Sequence, residues 1–125
     1  MRHGFIKTAA GTPKIQVADC VYNAGEILKL IRQMETEGAK IMAFPELCIT
    51  GYTCQDLFWQ TLLLDSAKEQ LVWLAGETSQ VDALIIVGLP WEYNGKLYNV
   101  AAVLNRGKNP WSGAEDESAK LCRVL

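Results

Sequence analysis

The run ALIIVGLP, residues 83–90, constrains the fold most, because it is apolar without interruption and ends on Gly88 and Pro90. A stretch this short and continuous predicts a central strand covered on both faces. Asn94-Gly95 is a tight-turn signal, so KLYNVAAVLNRG, residues 96–107, predicts the returning strand of a hairpin. Upstream, Ala24, Ile27, Leu28, Ile31 and Met34 recur at three- and four-residue spacing, the signature of a helix with one buried face. Asn23 with Glu26 forms a capping box for that helix, with Asp19 as an earlier start, and Gly38 is a natural stop. Lys40–Phe44 reads as a short buried strand. A second amphipathic helix is predicted from Asp56 to about Thr78, with Leu57, Phe58, Leu62, Leu64, Leu71 and Leu74 on its apolar face. GFIKTAA, residues 4–10, and KIQV, residues 14–17, read as extended pieces around a turn at Gly11-Thr12-Pro13. Strands alternating with helices and then a hairpin define an α/β layered sheet.

Composition narrows the function classes. A length of 125 residues suits one domain, and 50% apolar with 21% charged residues is ordinary for a globular protein. A formal charge of −2 leaves no basic footprint for nucleic acid or for an anionic membrane surface. The apolar runs are too short to span a bilayer, and MRHGFIKTAAGTPK lacks the apolar core of a secretory signal, so a cytoplasmic location is expected. Cys20, Cys48, Cys54 and Cys122 form no C-x-x-C pair, and His3 is the one histidine, so no zinc pattern exists. The cysteines read as reduced, and most of them as buried small hydrophobes.

Chemistry enters at IMAFPELCITGYT, residues 41–53. Pro45 cannot donate to a sheet ladder, so pairing should end there and leave Glu46 at the carboxyl end of a strand, where α/β sheets place ligands. Partial burial beside the Thr50-Gly51-Tyr52 turn would raise its carboxyl pKa, which suits a general base near neutral pH. A carboxylate that caps a loop or pairs with a lysine would look the same.

Three stretches carry a resemblance: GFIKTAAGTPKIQVADCVYNAGEI, FPELCITGYTCQDLF and IIVGLPWEYNGKLYNVAAVLNRGK. They resemble the nitrilase-like glutaminase domain of glutamine-dependent NAD synthetases, within the carbon–nitrogen hydrolase superfamily. The resemblance covers residues 4 to about 108, and residues 1–108 are read as a partial carbon–nitrogen hydrolase domain. It implies the N-terminal part of a four-layer α-β-β-α sandwich. It also implies hydrolysis of glutamine by a Glu-Lys-Cys triad, with ammonia passed to a separate synthetase domain that amidates ATP-activated deamido-NAD. Glu46 matches the general base, and Tyr52 matches a tyrosine lining the glutamine pocket. The family lysine would steady the oxyanion as a fixed positive charge. No cofactor is implied for this part of the domain. ATP and magnesium belong to the synthetase domain, and homo-oligomers are the family habit.

Departures begin after Lys108. KNPWSGAEDESAKLCRVL, residues 108–125, stands where the family lysine segment is expected, and no family nucleophile motif surrounds Cys48 or Cys54. Read one nucleotide downstream, the codons of this stretch permit a Pro-Lys-Thr step across Ala114, Glu115 and Asp116, as in the family. Residues 109–125 are therefore expected to be an out-of-frame, non-family tail, and the chain to be a truncated remnant, inactive alone. Another amidase or nitrilase fragment, or a non-catalytic remnant, is the alternative.

Overall fold

The computed structural model describes residues 3–106 and the backbone of 120–123. Five strands form one sheet in the order β1-β2-β3-β4-β5: Thr8–Ala10, Ile41–Ala43, Leu84–Tyr93, Lys96–Asn105 and Lys120–Arg123. The first three run parallel, with Ala9 opposite Met42 and Met42 opposite Ile85. The β3–β4 hairpin is antiparallel and turns at Asn94 and Gly95, both with positive φ (51° and 73°) as a tight two-residue loop requires. β5 adds to the outer edge of β4, so the end of the predicted tail contributes a strand.

Helix α1, Cys20–Thr36, joins β1 to β2. It buries Ala24, Ile27, Ile31 and Met34 of the expected stripe, with Leu28 half-buried against the same core. The cap differs from the expected one: the Asp19 side chain accepts from the Tyr22 N–H, and Asn23 lies one turn inside the helix, fully buried. Gly38, at φ +82°, ends the helix, with the Ala39 N–H donating back to the Met34 carbonyl (3.0 Å).

The second predicted helix is two elements. A five-residue 3₁₀ turn, Gln55–Trp59, is followed by extended Gln60 (ψ 125°) and then by α2, Thr61–Glu77. The break moves the apolar face. Leu63, Leu64, Ala67, Leu71 and Leu74 are buried, whereas Leu57 and Leu62 point outward, Leu62 with 80% of its surface exposed. KIQV, residues 14–17, forms no strand, because the Gln16 N–H is taken by the Asn23 side chain (2.7 Å) rather than by a ladder partner.

α1 and α2 cover one face of the sheet. Met42, Ile85, Val87, Leu89, Ala102 and Leu104 are buried against them in one core. On the opposite face Ile41, Leu84 and Ile86 stay half-exposed, so β3 is covered fully on one side only. β3 also continues past Pro90, which sits opposite Asn99. Ile86 and Gly88 accept from the β2 side, from Phe44 and Ile49. By the two-residue alternation of a strand, Pro90 turns its missing donor to that side, where β2 has already ended.

Candidate active site

Glu46 stands two residues after Phe44, whose N–H donates to the Ile86 carbonyl of β3 (3.0 Å). The chain then leaves the sheet in a tight turn. Leu47 takes a left-handed φ of +51°, a strained conformation for leucine, and Gly51 (φ +85°) donates to the Leu47 carbonyl at 2.7 Å. The turn presses its backbone onto Gly88 of β3, where a Cβ would meet the Leu47 nitrogen and the Pro45 carbonyl oxygen, the latter at 2.9 Å. The Ile49 N–H also donates to the Gly88 carbonyl (3.2 Å), which fixes the turn to the strand.

Cys48 sits in this seam. Its sulfur lies 3.4 Å from the Gly88 nitrogen and 3.7 Å from the Gly88 carbonyl oxygen, and burial pushes its thiol pKa up to about 11. Such a thiol is protonated at neutral pH and poorly suited to nucleophilic attack. Cys20 and Cys54 are buried as well, in keeping with their reading as small hydrophobes.

Asn23 secures the other side of the turn. Its side-chain nitrogen donates to the carbonyls of Gln16 (2.8 Å) and Ile49 (2.9 Å), while its oxygen accepts from Gln16. The Ala18 N–H adds a bond to the Thr50 carbonyl (2.8 Å). Loop 15–18 and turn 46–51 are thereby held together by one buried carboxamide and one backbone bond. The sequence signals Asn23 only as a cap, since the residues it serves are 7 and 26 positions away.

The Glu46 side chain is exposed, not partly buried as expected. Asn99 of β4 donates to it through its side-chain nitrogen. Glu46 and Tyr52 line a common cavity of about 330 Å³, whose other walls include Thr12, Pro13, Ile15 and Val17. Tyr52 is 75% exposed at its rim. The structure thus brings the two predicted site residues to one cavity. The segment in which the family lysine is expected, residues 108–119, lies outside the described residues. Among the described residues, no group of three or more His, Cys, Asp or Glu side chains is placed to hold a metal ion. No helix there is long and apolar enough to cross a membrane.

A mixed sheet with helices on one face, and a carboxylate on a loop at the end of a parallel strand, define a nitrilase-like α/β architecture. A family model described as carbon-nitrogen hydrolase matches residues 7–121, and the chain belongs to that family. The chain is 34% identical over 106 residues to a glutamine-dependent NAD(+) synthetase of Mycobacterium tuberculosis, which covers 85% of this chain and 16% of that protein. A solved glutamine-dependent NAD(+) synthetase from Cytophaga hutchinsonii superposes with a TM-score of 0.73 at 29% identity, over 78% of this chain and 16% of that one. An amidase from Nesterenkonia shares the fold with a TM-score of 0.69 at 19% identity, over 85% of this chain and 40% of that one. The chain therefore spans about a sixth of the length of the synthetases it matches.

Proposed function

We propose that this chain is the base-bearing portion of a glutaminase domain, in which Glu46 is the general base and Tyr52 borders the glutamine pocket. The observation that carries this is the convergence of Glu46 and Tyr52 on one cavity at the carboxyl end of β2. The names of the relatives, glutamine-dependent NAD(+) synthetases, supply glutamine as the substrate class. In this reading glutamine is hydrolysed to glutamate and the ammonia is passed to a synthetase domain. ATP and magnesium act in that domain, in the cytoplasm and in a homo-oligomer. A base needs a nucleophile within reach. Burial makes the Cys48 thiol a poor nucleophile, and the chain alone is expected to hydrolyse no glutamine.

The test is a chimera in which residues 7–106 replace their counterpart in the Mycobacterium tuberculosis synthetase. Glutamine-driven NAD formation is expected to survive the exchange and to be lost in Glu46→Gln, while ammonia-driven formation persists in both. Retention of the glutamine-driven reaction in Glu46→Gln would rule out the base. Simple-amide hydrolysis by the chimera, without glutamine turnover, would favour the alternative of an amidase. Residues 109–125 are read as an out-of-frame continuation, and sequencing the gene through the Lys108 and Asn109 codons tests that. An unbroken reading frame, with no shift that restores Pro-Lys-Thr, would refute it.

A further inference from the structure

Asn99 lies on β4 opposite Pro90, on the sheet face turned away from the helices and toward the Glu46 turn. Its nitrogen donates to Glu46 Oε1, while its own oxygen is buried without a hydrogen-bond partner among the described residues. An orphaned buried acceptor is uncommon in a folded protein and calls for a reason. Flipping the carboxamide would not cure it, because the oxygen would then face a carboxylate oxygen, acceptor against acceptor. The orientation seen is the one that serves Glu46 at the expense of Asn99. Beside it lies a recess of about 230 Å³, walled by Leu47, Phe58, Pro90, Leu97 and Tyr98. A bond to a carboxylate is charge-assisted and stronger than one between neutral groups.

We infer that Asn99 is the positioning residue of Glu46: it holds one carboxylate oxygen in place and leaves the other free to take a proton from a group in the cavity. This deepens the reading of Glu46 as a base and rests on it for its functional meaning. Geometry supports the assignment from two strands. Gly88 on β3 makes room for the backbone of the Glu46 turn, and Asn99 on the neighbouring strand fixes its side chain. Without the second contact, an exposed glutamate would sample several rotamers.

The experiment uses the full ¹⁵N- and ¹³C-labelled chain and follows the Asn99 carboxamide protons by NMR, identified through their couplings to the Asn99 side-chain carbons. Glu46→Ala is expected to speed their exchange with solvent roughly tenfold, as loss of a charge-assisted bond implies. Glu46→Gln, which keeps a neutral acceptor, should give an intermediate rate. Asn99→Ala is expected to lower the order parameter of the Glu46 side chain. Identical exchange in the native and Glu46→Ala chains would overturn the inference, and so would an unchanged Glu46 order parameter in Asn99→Ala. Glu46 is exposed, so its substitutions leave the core intact and the exchange measurement decides even where Asn99→Ala fails to fold. None of these readouts needs turnover. A chimera without glutamine activity would therefore remove the base reading while leaving the Asn99 contact standing.

Discussion

Gly88 carries no side chain because the backbone of Pro45, Glu46 and Leu47 occupies that space. Gly88→Ala must therefore push the turn off β3, since both sides of the clash are backbone and neither can rotate away. Overpacking of this kind costs roughly 1–3 kcal/mol, which a lowered urea midpoint would register. The same substitution should release the Glu46 carboxylate from Asn99 and return the Asn99 amide protons to rapid exchange. A midpoint within error of the native one would show that the turn does not depend on this seat. Glu46 itself is legible in the sequence, because Pro45 announces the end of pairing and an acid follows directly. Asn99 is not legible as its partner. The contact joins residues 53 positions apart, and only the β3–β4 register brings them together.

Helix boundaries separate what local sequence encodes from what packing decides. The buried face of α1 is legible because its period is intrinsic to the helix, but a capping Asn and a core Asn look alike until their partners are known. Asp19→Ala is expected to destabilise the chain by about 1 kcal/mol, within the usual range for a lost N-cap. Glu26→Ala should cost less, because it removes only the surface pair with Lys29 (2.9 Å). The reverse ranking in thermal melts would restore the Asn23–Glu26 capping box. No proline or glycine announces the break at Gln60, so local sequence encodes Asp56–Thr78 as if it were a single helix. Between strands, Asp82 at the foot of β3 pairs with Arg106 beyond β4 (3.0 Å) and Lys40 before β2 (3.6 Å). The Arg106 guanidinium first, and then Lys40, hold its carboxyl pKa below the usual value. A carboxyl depressed on folding contributes above the ordinary carboxylate range, and its contribution is lost as pH falls through the folded value. Asp82→Asn should therefore lower the melting midpoint slightly at neutral pH and converge with the native chain in acid. High salt should shrink the difference, because the pair is exposed. A gap that persisted in strong acid would assign the effect to something other than this charge.

Among the described residues, the sheet is fully covered on one face and only partly covered on the other. Ile85, Val87 and Leu89 vanish beneath the helices, while Ile41, Leu84 and Ile86 lie half-exposed and contiguous across β2 and β3. Alternation along a strand makes both sets apolar in the sequence. The run ALIIVGLP therefore reveals a strand meant to be covered twice, without saying what supplies the second cover. These half-exposed side chains leave apolar area in contact with water. Contiguous apolar area of this kind favours association. Light scattering on the purified chain is expected to show mass rising with concentration. Ile86→Lys, at the centre of the open face, should suppress that rise and leave the far-ultraviolet circular dichroism unchanged, because the helix-facing core is not touched. Opposite Ile86 on β4 is Val103, so the introduced lysine has an apolar neighbour along which its stem can lie while its ammonium reaches water. A native chain that stays monomeric at high concentration would show that the open face is not sticky. An Ile86→Lys chain that associates as strongly as the native one would move the sticky surface elsewhere, to the exposed Leu62, Val72 and Trp73 side of α2.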